Sequence, residues 1–272
     1  MNKDAIMKTL FLSLLLLMFS AQLFSQSIDT IAIQQKADEI LEEANRLYRY
    51  EKTAWLATDE AMINETIRPE FAAYLIYESG DSMVALILNK ERQCIMQLTY
   101  PNDFSKEGSR NLKQRNLTAE EQKLLTIKNK IIEQLDKKKY DVGCPQGYNL
   151  NAVLIPDGKS YKFYLLTGTS KKNVIPFGND YLFTANKKGK ITSFRKFHSN
   201  LIPGMTEFKG YKITELMHSH LKTTPYISAT DICTFRLYAP MYKLEAFMVY
   251  SPKLKVYFRY SLKDNSVTVV HK

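Results

Sequence analysis

The pattern His218-Ser219-His220, followed after seven residues by Ser228-Ala229-Thr230-Asp231, restricts the fold more than any other stretch of the chain. Two histidines at i and i+2 on an extended strand project from the same face, because strand side chains alternate with period two, so both imidazoles reach one point in space. Ser-x-x-Asp ahead of the apolar run Ile232, Cys233, Phe235, Leu237 and Tyr238 reads as the capped start of a helix. Asp231 then sits in the first helical turn, where its carboxylate can turn back toward His218 and His220 as a third ligand. Two His, one carboxylate and an open position for water are what a catalytic zinc requires, whereas a structural zinc is usually closed by four protein ligands. The bland alternative makes the two His partly exposed strand residues and Ser228-x-x-Asp231 a capping box alone. That reading explains the serine and the aspartate but not two His at this spacing.

The whole string, His-Ser-His-x7-Ser-x-x-Asp, resembles the signature of the JAMM/MPN metallopeptidase family. The resemblance implies zinc held by His218, His220 and Asp231, and it gives Ser228 a catalytic role in steadying the tetrahedral intermediate. It covers about residues 116–272. The family also uses a glutamate, on a strand a few tens of residues before the first His, as general base. Residues 146–206 contain no Glu, and their only aspartates are Asp157 and Asp180. Asn149, Asn151 or Tyr161 is expected in the glutamate's place. Glu215 stands at odd separation from His218 and should face away, and Glu78, beside a turn, reads as a surface residue. A second departure is Leu221, where the family usually has proline.

At the other end of the chain, residues 1–25 read as a secretory signal peptide. Lys3 and Lys8 give a basic start, residues 10–19 are an apolar run too short for a comfortable membrane span, and Ala21 or Ser25 offers a cleavage site. The mature protein is then expected outside the cytoplasm, periplasmic or extracellular, with no stable membrane span. Cleavage removes two lysines and one aspartate, and the formal charge of +10 falls only to +9. Basic runs stand at residues 137–139, 171–172, 187–190 and 195–196, but no nucleic-acid fold signature accompanies them, so they read as solvated turns and helix ends. Cys94 and Cys233 lie in apolar periodic segments and read as core side chains; with Cys144 they form no metal-knuckle spacing.

Between these ends the chain alternates helix and strand signals. Residues 29–50 place Ile33, Ala37, Ile40, Leu41, Ala44, Leu47 and Tyr48 at helical spacing. A β-meander follows over 71–77, 83–88 and 94–100, punctuated by Ser79-Gly80-Asp81 and Asn89-Lys90-Glu91. The polar stretch 102–116 makes the best boundary, dividing an N-terminal α+β region (26–115) from a second domain (116–272). Thr118-x-x-Glu121 is a capping box before a strongly amphipathic helix. Strands are expected at 152–155, 161–166, 181–184, 191–197, 211–220, 246–250, 255–262 and 266–270, with a helix after Ser228. His198, at the end of a hairpin and without a charged neighbour, reads as an exposed and unremarkable histidine. The expected class is α+β, a mixed or antiparallel sheet flanked by helices in JAMM/MPN-like, deaminase-like layers, preceded by a smaller α+β region. Two functions follow: a degenerate metal site in a scaffold or binding module for an envelope peptide or protein, or an active zinc peptidase or isopeptidase acting on such targets.

Overall fold

The computed structural model of the protein describes residues 3–135 and 138–271, with side chains described from residue 30 onward except at 138. The expected signal segment, residues 1–25, lies outside the residues whose side chains are described, and so does part of the lysine run at 137–139.

Helix α1 (Lys3–Ile63) continues well past the expected end at residue 50. The reason is a stripe of small side chains: Ala37, Ala44, Ala54, Ala57 and Ala61 are all fully or nearly fully buried. Spaced 7, 10, 3 and 4 residues apart, they fall on one side of the helix and let it approach its neighbours closely while costing nothing in helix propensity. The meander forms as expected from β1 (Ala73–Ser79), β2 (Ser82–Leu88) and β3 (Cys94–Pro101), and β4 (Ser109–Asn111) completes an antiparallel sheet in the order β1-β2-β3-β4. Strand β2 is apolar on both faces for a reason the packing makes plain. Met83, Ala85 and Ile87 join the core beneath α1, while Val84, Leu86 and Leu88 face Leu125 of α2 (Ala119–Leu135) on the other side.

Beyond α2 the chain forms a second antiparallel sheet from β5 (Asn149–Asp157), β6 (Ser160–Gly168), β8 (Tyr181–Asn186) and β9 (Ile191–Lys196), in the order β5-β6-β8-β9. Its Tyr161, Phe163 and Leu165 pack with Ile127 and Ile131 of α2, while Tyr164 and Leu166 reach the core on α1's side. Two further strands that the sequence reading does not contain, β7 (Val174–Gly178) between β6 and β8 and β10 (Leu201–Met205) after β9, pair with each other. A small hairpin, β11 (Glu207–Phe208) with β12 (Tyr211–Lys212), precedes β13 (Leu216–Ser219). The single long strand expected over 211–220 is therefore two short ones.

Strand β13 runs parallel to β14 (Ala246–Ser251), and α3 (Ala229–Tyr242) is the crossover between them, as a parallel pair requires. Antiparallel β15 (Val256–Ser261) and β16 (Ser266–His271) complete a third sheet in the order β13-β14-β15-β16. The class is α+β, with three helices among the described residues and mostly antiparallel sheets. One core joins residues on both sides of the polar stretch 102–116, from Ala37 and Met96 to Phe235, Phe247 and Phe258. Each large apolar side chain buried there contributes about 1.5–3 kcal/mol.

Helix α3 is clamped to α1. The Arg236 guanidinium lies 3.9 Å from the centre of the Tyr48 ring and donates to Asn45, and Trp55 meets Tyr238 edge to face at 5.0 Å. At the far end of α1, the Gln34 side-chain amide behaves like a strand residue against the edge of β16. It donates to the Val267 carbonyl at 2.8 Å and accepts from the Val269 N–H at 3.1 Å. Among the described residues no helix is long and apolar enough to cross a membrane.

Candidate metal centre

Four side chains from three separate segments converge on one buried point: His198, His218, His220 and Asp231. His218 projects from β13. His220 lies one residue beyond that strand, yet its N–H still bonds the Tyr250 carbonyl at 3.0 Å, so the i, i+2 pair keeps its common face. Asp231 is the third residue of α3, and the capping box is complete: Ser228 Oγ accepts from the Asp231 N–H while Asp231 accepts from the Ser228 N–H. His198 arrives from the loop after β9, and sequence reasoning missed it. It is 4% exposed, not on the surface. Nothing in its immediate sequence marks it; burial comes from the pairing of β7 with β10, which folds Phe197 and His198 inward. A backbone contact fixes that path, for the Thr224 hydroxyl donates to the Phe197 carbonyl at 3.1 Å.

The four ligating atoms lie within 4.8 Å of one another, close enough to share one ion. His198 Nε2 lies 2.9 Å from His220 Nε2 and 3.3 Å from Asp231 Oδ1, and His218 Nε2 lies 3.3 Å from His220 Nε2 and 3.2 Å from Asp231 Oδ1. His220 Nε2 lies 3.0 Å from Asp231 Oδ2. A regular tetrahedron with metal bonds of about 2.0 Å has edges of about 3.3 Å. The side chains are between 0 and 5% exposed.

Hydrogen bonding settles which nitrogens are free. His198 Nδ1–H donates to Asp180 Oδ1 at 2.8 Å, and His220 Nδ1–H donates to the Tyr226 and Thr224 carbonyls at 2.6 and 3.1 Å. Each imidazole, when neutral, then presents a lone pair at Nε2. Two lone pairs facing one another at 2.9 Å repel, and either a shared proton or a metal cation between them relieves the repulsion. Asp231 Oδ1 is buried with no hydrogen-bond partner, and it faces the same point. The residues therefore fit a metal ion, and a carboxylate behind a ligating His is the usual support for one. Asp180 is itself held by the Thr230 hydroxyl of α3. Burial opposes the charged form of His198, but the Asp231 and Asp180 carboxylates outweigh it and push its pKa up to about 11. Burial likewise opposes the charge on Asp231, and the three His hold its pKa well below the ordinary carboxylate range. The centre is built to hold positive charge.

Other expected site residues lie elsewhere. Asn149 donates to Asn151, and Asn151 in turn donates to the buried Glu51 of α1. Tyr161 packs in the cluster around α2. None of the three stands where a general base would. Glu78 pairs with Arg46 and Arg49, and Glu215 lies 3.7 Å from Arg259. The Ser228 hydroxyl is engaged by Asp231 and Thr230 within the cap, and the residue is 4% exposed. No family model, no curated protein and no solved structure matches the chain.

Proposed function

We propose that the chain is an exported protein whose centre holds one structural zinc ion, and that it acts as a scaffold or recognition module for a peptide or protein of the cell envelope, without hydrolytic activity. The observation that carries this reading is the fourth ligand. With His198 beside His218, His220 and Asp231 the donor set counts four, and four protein ligands leave a tetrahedral zinc no open position for water. Zinc suits three imidazole nitrogens and one carboxylate in that arrangement, since it imposes no competing geometry of its own. If the chain descends from JAMM/MPN peptidases, it keeps their His218, His220 and Asp231 string with the open position closed. The missing glutamate agrees, because Asp180 sits behind His198 and cannot reach a group on the ligand side. The export part of the proposal rests on residues 1–25.

The purified mature protein is expected to carry one zinc per chain by mass spectrometry and to cleave no peptide or isopeptide substrate above background. Zinc-dependent cleavage by the wild type, abolished in His218→Ala, would restore the enzyme. Absence of any bound metal after purification without chelator, together with failure to take up added zinc, would remove the metal from the proposal.

A further inference from the structure

The hairpin of β11 and β12 carries an exposed aromatic pair, Phe208 and Tyr211. Lys209 and Gly210 form its two-residue turn with φ of +51° and +81°, the positive angles of the tight type that matches strand twist. The register pairs Phe208 with Tyr211 and Glu207 with Lys212, and the Ile213 N–H continues the ladder to the Thr206 carbonyl. Directly opposed residues share a face and alternate along the strand. Phe208, Tyr211, Thr206 and Ile213 are therefore on one face. At the base of the hairpin that face is the inner one, for Thr206 is 5% exposed and Ile213 packs against the core. At the tip it overhangs the body, leaving Phe208 61% and Tyr211 78% exposed. Met205 and Met217, on the flanking strands β10 and β13, are 47% and 61% exposed.

Charge around this tip is biased. Lys209 occupies the turn and Lys212 follows Tyr211. Lys172 adjoins Asn173, whose carbonyl accepts from the Thr206 N–H and whose side chain donates to Glu207 at 3.0 Å. Three exposed lysines thus surround one acid that is already hydrogen-bonded. Exposed aromatic rings bracketed by lysines suit the boundary of a bilayer that bears negative headgroups: the rings enter the headgroup region and the ammonium groups meet the phosphates. We infer that the Phe208–Lys212 hairpin is a docking element for an anionic lipid surface.

The test is sedimentation of the full, metal-carrying protein with vesicles of phosphatidylglycerol and phosphatidylcholine, and with phosphatidylcholine alone. Binding is expected to the anionic vesicles, to weaken as salt is raised, and to fall at least tenfold in Phe208→Ser/Tyr211→Ser and in Lys209→Glu/Lys212→Glu. Both variants alter exposed positions, and circular dichroism checks that they fold. No binding to anionic vesicles, or binding that either double variant leaves unchanged, overturns the inference. A wild type that is dimeric by analytical ultracentrifugation, with the dimer lost in Phe208→Ser/Tyr211→Ser and no lipid binding, assigns the face to a second copy instead.

Discussion

Gly178 sits at φ +75°, and a Cβ built on it would lie 2.4 Å from the Asn200 carbonyl oxygen and 3.2 Å from the Cβ of His198. The backbone passes Asn200 and His198 so closely that a side chain at this position would collide with them, and the positive φ favours glycine as well. Gly178→Ala is expected to cost about 1–3 kcal/mol in backbone strain and to displace His198. The check is paired: a lower melting temperature and a weakened zinc affinity, with unchanged values for both refuting the assigned role. Asp180 acts on the same His198, but through charge. Asp180→Asn keeps an acceptor for the His198 Nδ1–H and removes the negative charge, so zinc affinity measured by competition with a chromophoric chelator should fall about 10- to 100-fold. A fall of less than twofold would mean that His198 needs no such support.

At the level of elements, α2 shows how a local motif becomes a stability term. Thr118 and Glu121 form the capping box read from sequence, and Glu121 also accepts from Arg115 at 2.7 Å and from the Tyr77 hydroxyl at 2.8 Å. Burial raises the Glu121 pKa, but Arg115, the Thr118 N–H and Tyr77 outweigh it and bring the value down from 4.5 to about 2. A depressed carboxylate adds stability that is present above the unfolded value and lost as pH falls through the folded one. Wild type should therefore lose about 2–3 kcal/mol from this group between about pH 5 and 2. Glu121→Gln should be less stable at neutral pH and show a shallower loss in that window, by urea unfolding at each pH; parallel curves would sink the assignment. Elements of this kind were legible because their signals are local: capping boxes at Thr118 and Ser228, turn residues at Gly80 and Gly189, period-two strands. Strands β7 and β10 were not, for each is only five residues long and has a proline, Pro176 or Pro203, at its centre, which removes a ladder donor. The structure pairs these prolines directly opposite one another, at a position where neither needs an N–H. His198 was hidden for the same reason, since the pairing that buries it was invisible. The clustering of His218, His220 and Asp231 was legible, and the fourth member, His198, was not.

On the scale of the whole molecule, the metal would fasten the loop after β9, strand β13 and helix α3 to one another, and α3 is in turn clamped to α1. An ion bound at a free concentration a thousand times its dissociation constant stabilises the folded state by about 4 kcal/mol. Chelation is thus expected to lower the melting temperature by about 10 °C for a chain of this size, with zinc restoring it and magnesium not. An unchanged melting temperature after verified zinc removal would show that the fold does not depend on the centre. The contact between Gln34 and β16 concerns timing. Helix α1 is made well before the strand whose edge it must satisfy, with Thr30 reaching His271. Until then the alanine stripe has no complete surface to pack on, and the core cannot close around a nascent chain as an autonomous N-terminal unit would. The core around α1 therefore waits on a strand 233 residues downstream of Gln34, and the chain between them stays pliable while it is being made.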